Sequence, residues 1–303
     1  MQLNRSFLIK DAIFRLSTKN LNRIFPRNLK KRRSSFPLLS PDTYLELCKQ
    51  SILSDQELLE FIENSKKKSI LESVYIAGEL VASLISKIDE LRNTKIKKLV
   101  IMESDTRQTT ENLKELFAIS DEIFSNNLVG VQDKISPIPL GIERRAYRSA
   151  GALGHFKKNY SIEPKDRQID FLIAWNDETN SMRKKYREVF RNSTKGLIIN
   201  RRMHPRSIHK LMRKSLFVPS PAGNGLDCHR TWEALYLGAI PVVLKSEFCG
   251  DATWPVHLID DWDEIIKLSR AELEALYLSK IVSKEAAIEF SSQVLRKISN
   301  NAN

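Results

Sequence analysis

The chain has 303 residues, 42% of them hydrophobic and 28% charged, with a net charge of +12. That length exceeds one ordinary core and suits two domains, and the composition excludes an intrinsically disordered chain. No apolar run approaches the roughly 18–20 residues that span a bilayer, and the basic N-terminus lacks the apolar stretch of a secretory signal.

Residues 1–40 hold ten Lys or Arg against one acid, Asp11, so this arm carries +9 of the net charge. Leu3, Phe7, Leu8, Phe14, Leu16, Leu21, Ile24 and Phe25 are interleaved with the cations. Two readings follow: an amphipathic helix lying on an anionic membrane surface through residues 1–33, or a solvated basic tail. Nucleic acid is the other polyanion such an arm suits. No aromatic RNP strand or other nucleic-acid motif accompanies it, so no nucleic-acid partner is expected. Cys48, Cys228 and Cys249 show no CxxC spacing, which argues against a disulfide framework and for a reducing, cytoplasmic compartment. The five histidines show no metal-ligand spacing.

Ser40-Pro41-Asp42 reads as a helix start, with helical periodicity over 42–51 and 55–64. Ser73–Ala77 is a β-rich run, 79–92 is helical, and Lys98–Met102 is a second apolar run. Residues 108–118 read as a helix and Glu122–Ser125 as a third strand. Pro137 and Pro139 bracket a further extended piece, closed by Gly141. Residues 143–168 are polar and aperiodic, an interdomain connection. The rhythm then restarts: strand Ile169–Trp175, helix 180–191, strand Gly196–Ile199, helix 205–214, strand Leu216–Val218. A glycine-containing turn leads into helix 228–237 and strand Ile240–Leu244. Val256–Ile259 is one more short strand, and 261–269, 271–279 and 283–298 read as helices. This βαβ alternation predicts an α/β fold with parallel sheets. The domains expected are a basic arm (1–40), an N-terminal Rossmann-like domain (41–150), a C-terminal Rossmann-like domain (165–280) and a C-terminal helix (281–303).

Ligands of open α/β sheets bind beyond the carboxyl ends of the strands. Glu79, Glu103 and Asp105 each follow a predicted strand end. The stretch from Leu216 to Leu244 is the most informative. A short strand ends at Pro219, and Ser220-Pro-Ala-Gly-Asn-Gly follows. Gly223 and Gly225 permit φ > 0 and let main chain approach a ligand. Asp227 is placed to cap the next helix, whose unpaired N–H groups favour a diphosphate. His229 and Arg230 add donors on its first turn, and Glu233, three positions on, suits ribose hydroxyls. Neither GxGxxG nor GK[ST] spacing is present, so the dinucleotide and P-loop readings are weak.

The string FVPSPAGNGLDCHRTWEALYLGAIPVV resembles the nucleotide-sugar motif of exostosin-like glycosyltransferases and is similar to that of fucosyltransferase-type enzymes. The resemblance spans about 30 residues. A looser match covers Ile138–Glu143 and Phe171–Arg183, and nothing in residues 1–90 is recognisable. The resemblance implies a GT-B-like fold, two Rossmann-type domains facing a cleft, with the donor in the C-terminal half. It implies a nucleotide-sugar donor, a glycan or lipid-linked acceptor, and no required metal or other cofactor. It also implies donor-binding roles for Arg183, Ser220, Gly223, Asn224, Gly225, Asp227, Arg230 and Glu233. A catalytic base would come from the N-terminal domain, with Asp105, Glu103 and Glu79 as candidates. The implied setting is polysaccharide or glycoconjugate synthesis, peripheral on the inner face of the membrane. Two alternatives stand beside it: a basic nucleic-acid-binding protein, and a catalytically silent sugar-nucleotide-binding subunit.

Overall fold

The computed structural model describes residues 34–65, 69–130, 132–144, 153–158, 160–193 and 195–299. The basic stretch 1–33, on which both readings of the arm rest, lies outside them, as does part of the expected connection 143–168.

Ser40 starts helix α1 (Pro41–Leu47): its side chain accepts from Thr43 N, and proline occupies the first turn. The helix stops at Cys48 rather than at 51, because strand β1 (Gln50–Ile52) pairs with the next strand. Helix α2 (Asp55–Asn64), capped by Ser54, leads to β2 (Ser69–Ala77). After a 3-10 turn come α3 (Val81–Ser86) and β3 (Thr94–Met102). The span predicted as one helix, 108–118, divides into β4 (Gln108–Thr109), α4 (Thr110–Leu113) and a 3-10 turn. Then follow β5 (Ser120–Ser125), β6 (Leu128–Val129) and β7 (Ile135–Pro137).

The main N-terminal sheet runs β1-β2-β3-β5-β7, all parallel and in chain order. Right-handed crossovers that all advance in one direction put the crossover helices on one face, while α1, which precedes β1, packs on the other through Tyr44. The crossover face packs Val74, Ile76, Leu99, Ile101 and Ile123 against α2, α3 and the turns after them. The alternate residues Tyr75, Val100, Met102 and Phe124 face the other way, as strand periodicity requires.

The second half holds β8 (Ile169–Ile173), α5 (Met182–Ser193), β9 (Gly196–Ile198), α6 (Pro205–Met212), β10 (Ser215–Pro219), α7 (His229–Tyr236), β11 (Ile240–Leu244) and β12 (His257–Ile259). Helices α8 (Asp263–Ile266), α9 (Arg270–Lys280) and α10 (Lys284–Ile298) close the chain. The strand order β12-β11-β10-β8-β9 is parallel and doubly wound. Helices α5, α8 and α9 cover one face, packing on Phe171, Phe217 and Val242, while α6 and α7 cover the other. The order reverses between β8 and β10, which opens a crevice beyond their carboxyl ends.

Helix α10 belongs to both halves. Ala287 joins the C-terminal core, with Phe290 stacked 6.0 Å from Trp232. Val294, Leu295 and Ile298 cover the N-terminal sheet on the face its own crossovers leave bare. Two five-stranded parallel sheets are thus joined into one packed α/β molecule. No helix among the described residues is long and apolar enough to cross a membrane.

Candidate functional site in the interdomain crevice

The turn after β10 lies at the point of strand-order reversal. Ser220 N donates to Val242 O (2.8 Å), and its hydroxyl shares a hydrogen bond with Thr231 (2.8 Å). The turn then closes on itself through Gly223 N to Gly225 O, 2.8 Å. Ala222 N donates to Glu247 Oε2 at 2.7 Å.

Arg183 was expected to face phosphates; its guanidinium instead ties two loops together. It donates to Ala222 O (2.9 Å), Pro221 O (2.8 Å), Asn176 O (3.2 Å), Thr179 Oγ1 (2.7 Å) and Cys228 Sγ (3.4 Å). Five N–H groups meet five protein acceptors, which exhausts a guanidinium. These bonds hold the turn against the loop after β8.

The glycines serve the same end. Neither Gly223 nor Gly225 has positive φ; among the glycines of the described residues only Gly130, Gly141 and Gly238 do. A Cβ on Gly223 would lie 2.9 Å from Arg183, and one on Gly225 would lie 2.4 Å from the Asn127 carboxamide. The space they leave admits protein side chains, where sequence reasoning expected a phosphate.

Asp227 also departs from expectation. The N-cap of α7 is Cys228, without a side-chain cap. The Asp227 carboxylate accepts instead from Leu140 N across the crevice (2.7 Å) and from Trp232 Nε1 (2.8 Å). Burial pushes its pKa up to about 6 against those two donors. Its own N–H donates to Asn127 Oδ1 at 2.7 Å. Asn127, with φ 54, is a left-handed residue of a type that tolerates it. Asn224 reaches Asp105 at 3.2 Å, at the exposed lip.

Helix α7 presents three polar residues along the crevice. His229 Nδ1 lies 2.7 Å from Gly141 O, so this nitrogen carries the hydrogen. Its Nε2 stands 3.6 Å from Glu143 Oε1. Burial alone would lower the His229 pKa; Glu143 and the Gly141 carbonyl outweigh it and leave it raised. Arg230 pairs with Glu233 at 2.7 Å and keeps 29% of its side chain exposed. Glu233 is buried, and burial alone would raise its pKa. Arg230 and His209 reverse that and hold it at about 2. His209 Nε2 lies 3.3 Å from Glu233, an ion-pair separation whose geometry falls short of a hydrogen bond. Behind it, the Nδ1 atoms of His209 and His155 are 2.9 Å apart. Burial, then His209, lower the His155 pKa to about 4.

The N-terminal domain supplies the facing wall. Glu103 directly follows β3 with φ 62, a conformation that non-glycine residues other than Asn and Asp seldom adopt. Its carboxylate accepts from Tyr75 OH (2.9 Å) and Arg144 (2.6 Å). Arg144 in turn stands 3.6 Å from the fully buried Asp42 carboxylate. Glu79 is exposed on the turn after β2, and Asp105 is exposed after β3.

Ser220, Gly223, Asn224, Gly225 and Asp227 lie on the turn after β10, with Arg230 and Glu233 on α7; Asp105, Asn127, Leu140, Gly141 and Glu143 of the N-terminal half meet this segment, and Glu103 stands apart on Tyr75 and Arg144. Sequence reasoning missed Asn127, Arg144, His155 and His209, which have no local pattern. It passed through Glu143 without assigning it, although the string Ile138–Glu143 had marked that loop. Among the described residues no group of three His, Cys, Asp or Glu is arranged to hold a metal ion. A small cavity of about 130 Å³ lies elsewhere, at the amino ends of β11 and β12 between Leu235, Pro241, His257 and Ile281. No protein-family model matches the chain, and no curated protein matches it.

Proposed function

We propose that this chain is a nucleotide-sugar-dependent glycosyltransferase of GT-B architecture. It would transfer a sugar to a hydroxyl of a glycan or lipid-linked acceptor on the cytoplasmic face of a membrane. One observation carries the reading. The strand order β9-β8-β10-β11 puts the Ser220–Asp227 turn and the start of α7 at a crevice faced by a second α/β domain. The resemblance of that segment to exostosin-like and fucosyltransferase-type enzymes agrees with its placement.

In this reading the first-turn N–H groups of α7 and the partly exposed Arg230 receive the diphosphate. Arg230 would swing from Glu233 to the phosphate when donor binds, freeing a carboxylate oxygen for the ribose. These positive groups offset charge developing on the leaving diphosphate, without a required metal. Ser220, Arg183, Gly223, Gly225 and Asp227 position the turn, and Asn224 stands at its lip.

The acceptor hydroxyl needs a base. Glu103 is already held by two donors, and Asp105 and Glu79 lie at the exposed margin. His229 is better placed: Nδ1 is anchored on Gly141, and Nε2 faces the crevice beside Glu143, which stabilises the imidazolium. A panel of UDP-, GDP-, CMP- and dTDP-sugars tests the reading by thermal shift. One donor should raise the melting temperature of the wild type and fail to do so in Arg230→Ala. No shift with any donor, together with no transfer to any acceptor, would overturn it.

A further inference from the structure

The net charge outside the arm conceals a second block. Residues 180–215 hold twelve Lys or Arg against one acid, Glu188. In the fold this block is α5, β9 and α6, and β9 is the free edge of the C-terminal sheet. Some of these cations are used internally. Arg183 holds the turn, Arg187 pairs with Asp177 at 2.9 Å, and Arg191 pairs with Glu188. Lys184, Lys185, Arg206, Lys210 and Lys214 are exposed and form no ion pair among the described residues. Arg201 and Arg202 add exposed charge in the loop between β9 and α6. Helices antiparallel to their strands put Lys184, Lys185 and Arg206 toward the carboxyl rim; α5 carries the first two on one flank of β9, and α6 with the turn after it carries Arg206, Lys210 and Lys214 on the other.

A charged edge protects against strand pairing, and a few lysines suffice for that. Five unpaired cations, Lys184, Lys185, Arg206, Lys210 and Lys214, raise the positive potential of this end of the sheet, and a polyanion relieves it. We propose that the β9 edge, framed by α5 and α6, is a docking face for a surface of anionic lipid headgroups. Nucleic acid fits less well. Of the two aromatic residues in the block, Tyr186 bonds Glu247 at 3.1 Å and Phe190 is fully buried. Neither is presented for base stacking. Met182, beside Lys184 and Lys185, is 38% exposed and offers an apolar contact instead. Docking on this edge would turn the mouth of the crevice toward the membrane. The proposal does not depend on which sugar the crevice binds.

The test is co-sedimentation of the full chain with vesicles at about 0.1 M salt. One set is phosphatidylcholine alone; the other is phosphatidylcholine with phosphatidylglycerol at three to one. The variant is Lys184→Glu, Lys185→Glu, Arg206→Glu and Lys210→Glu combined. The comparator is Lys30→Gln, Lys31→Gln, Arg32→Gln and Arg33→Gln combined. Each cation near such a surface contributes about 1 kcal/mol, so the edge variant should lose at least about a hundredfold in partitioning to anionic vesicles. Its melting temperature and its response to nucleotide-sugars should be unchanged. Three results would overturn the proposal. In one, wild type prefers anionic vesicles no more than neutral ones. In the second, the edge variant partitions like wild type while the comparator does not. In the third, the edge variant loses binding to a mixed-sequence DNA duplex but keeps its binding to vesicles.

Discussion

Replacing Arg183 with alanine should cost far more stability than removal of a charged residue from a helix surface. The side chain is 8% exposed, and its fork serves three main-chain carbonyls, of Ala222, Pro221 and Asn176. A buried acceptor left without its donor costs about 1–3 kcal/mol, less where water can enter. Three such carbonyls, plus the lost packing of the side chain, give about 4 kcal/mol. Arg183→Lys should recover about a third of that, because one ammonium group cannot span both the Pro221–Ala222 and Asn176 carbonyls. The assay is urea denaturation with the slope held in common, read as a shift in midpoint. A loss below about 1 kcal/mol for the alanine variant would refute the claim that this residue organises the turn. So would a lysine variant equal to wild type. Under the proposed function, donor affinity should fall in both variants, since the Ser220–Asp227 turn would lose its anchor.

Four further outcomes are expected. Glu233, held at about 2 by Arg230 and His209, stabilises the fold above its unfolded value and loses that contribution as pH falls from about 4.5 toward 2. Glu233→Gln should therefore remove about 3 kcal/mol at pH 7 and flatten that acid limb, as seen in melts across pH; an unchanged limb would contradict the assignment. Asp227 has the opposite sign: its pKa of about 6 lies above the unfolded value, so its contribution is full below about pH 4 and lost as pH rises through 6. The stability difference between pH 4.5 and 7 should shrink in Asp227→Asn, measured by the same melts. Gly225→Ala places a Cβ 2.4 Å from the Asn127 carboxamide and should destabilise by about 2 kcal/mol. Asn127→Gly should partly rescue it, and a purely additive double mutant would count against the contact. Under the proposed function, His229→Gln should lower kcat much more than it raises KM and flatten the pH–rate profile, whereas chelator should leave turnover intact; a normal profile in the variant would return the base to Glu103, Asp105 or Glu79.

The sequence carried much of the secondary structure and the segment on which the candidate site is built. The run Ile169–Ile173 and the Leu216–Leu244 unit lie close to where periodicity and turn chemistry put them. Strand β1 escaped because its three residues pair only with Val74–Ile76, a contact no local pattern encodes. The first halves of β2 and β3 escaped because only one face is covered there. Lys95 and Lys97 are exposed while Ile96 is buried, so no apolar run announces the strand.

The crevice divides the same way. Arg230 and Glu233 share a helix three residues apart, and that spacing was legible. Gly141 meeting His229, Asn127 meeting Asp227 and Arg183 meeting Ala222 join residues 39 to 100 positions apart. Gly223 and Gly225, which in sequence leave room for a phosphate, stand in space against Arg183 and Asn127.

Composition and periodicity by themselves determined an α/β chain in two halves with a glycine-containing turn before a helix. Those signals come from backbone preference and burial of alternate faces, which act over a few residues. Only the tertiary structure decided the strand orders, the sharing of α10 between the two sheets, and the basic edge along β9. Each depends on which distant surfaces bury each other after long loops have closed, and that choice is made by packing of the whole chain.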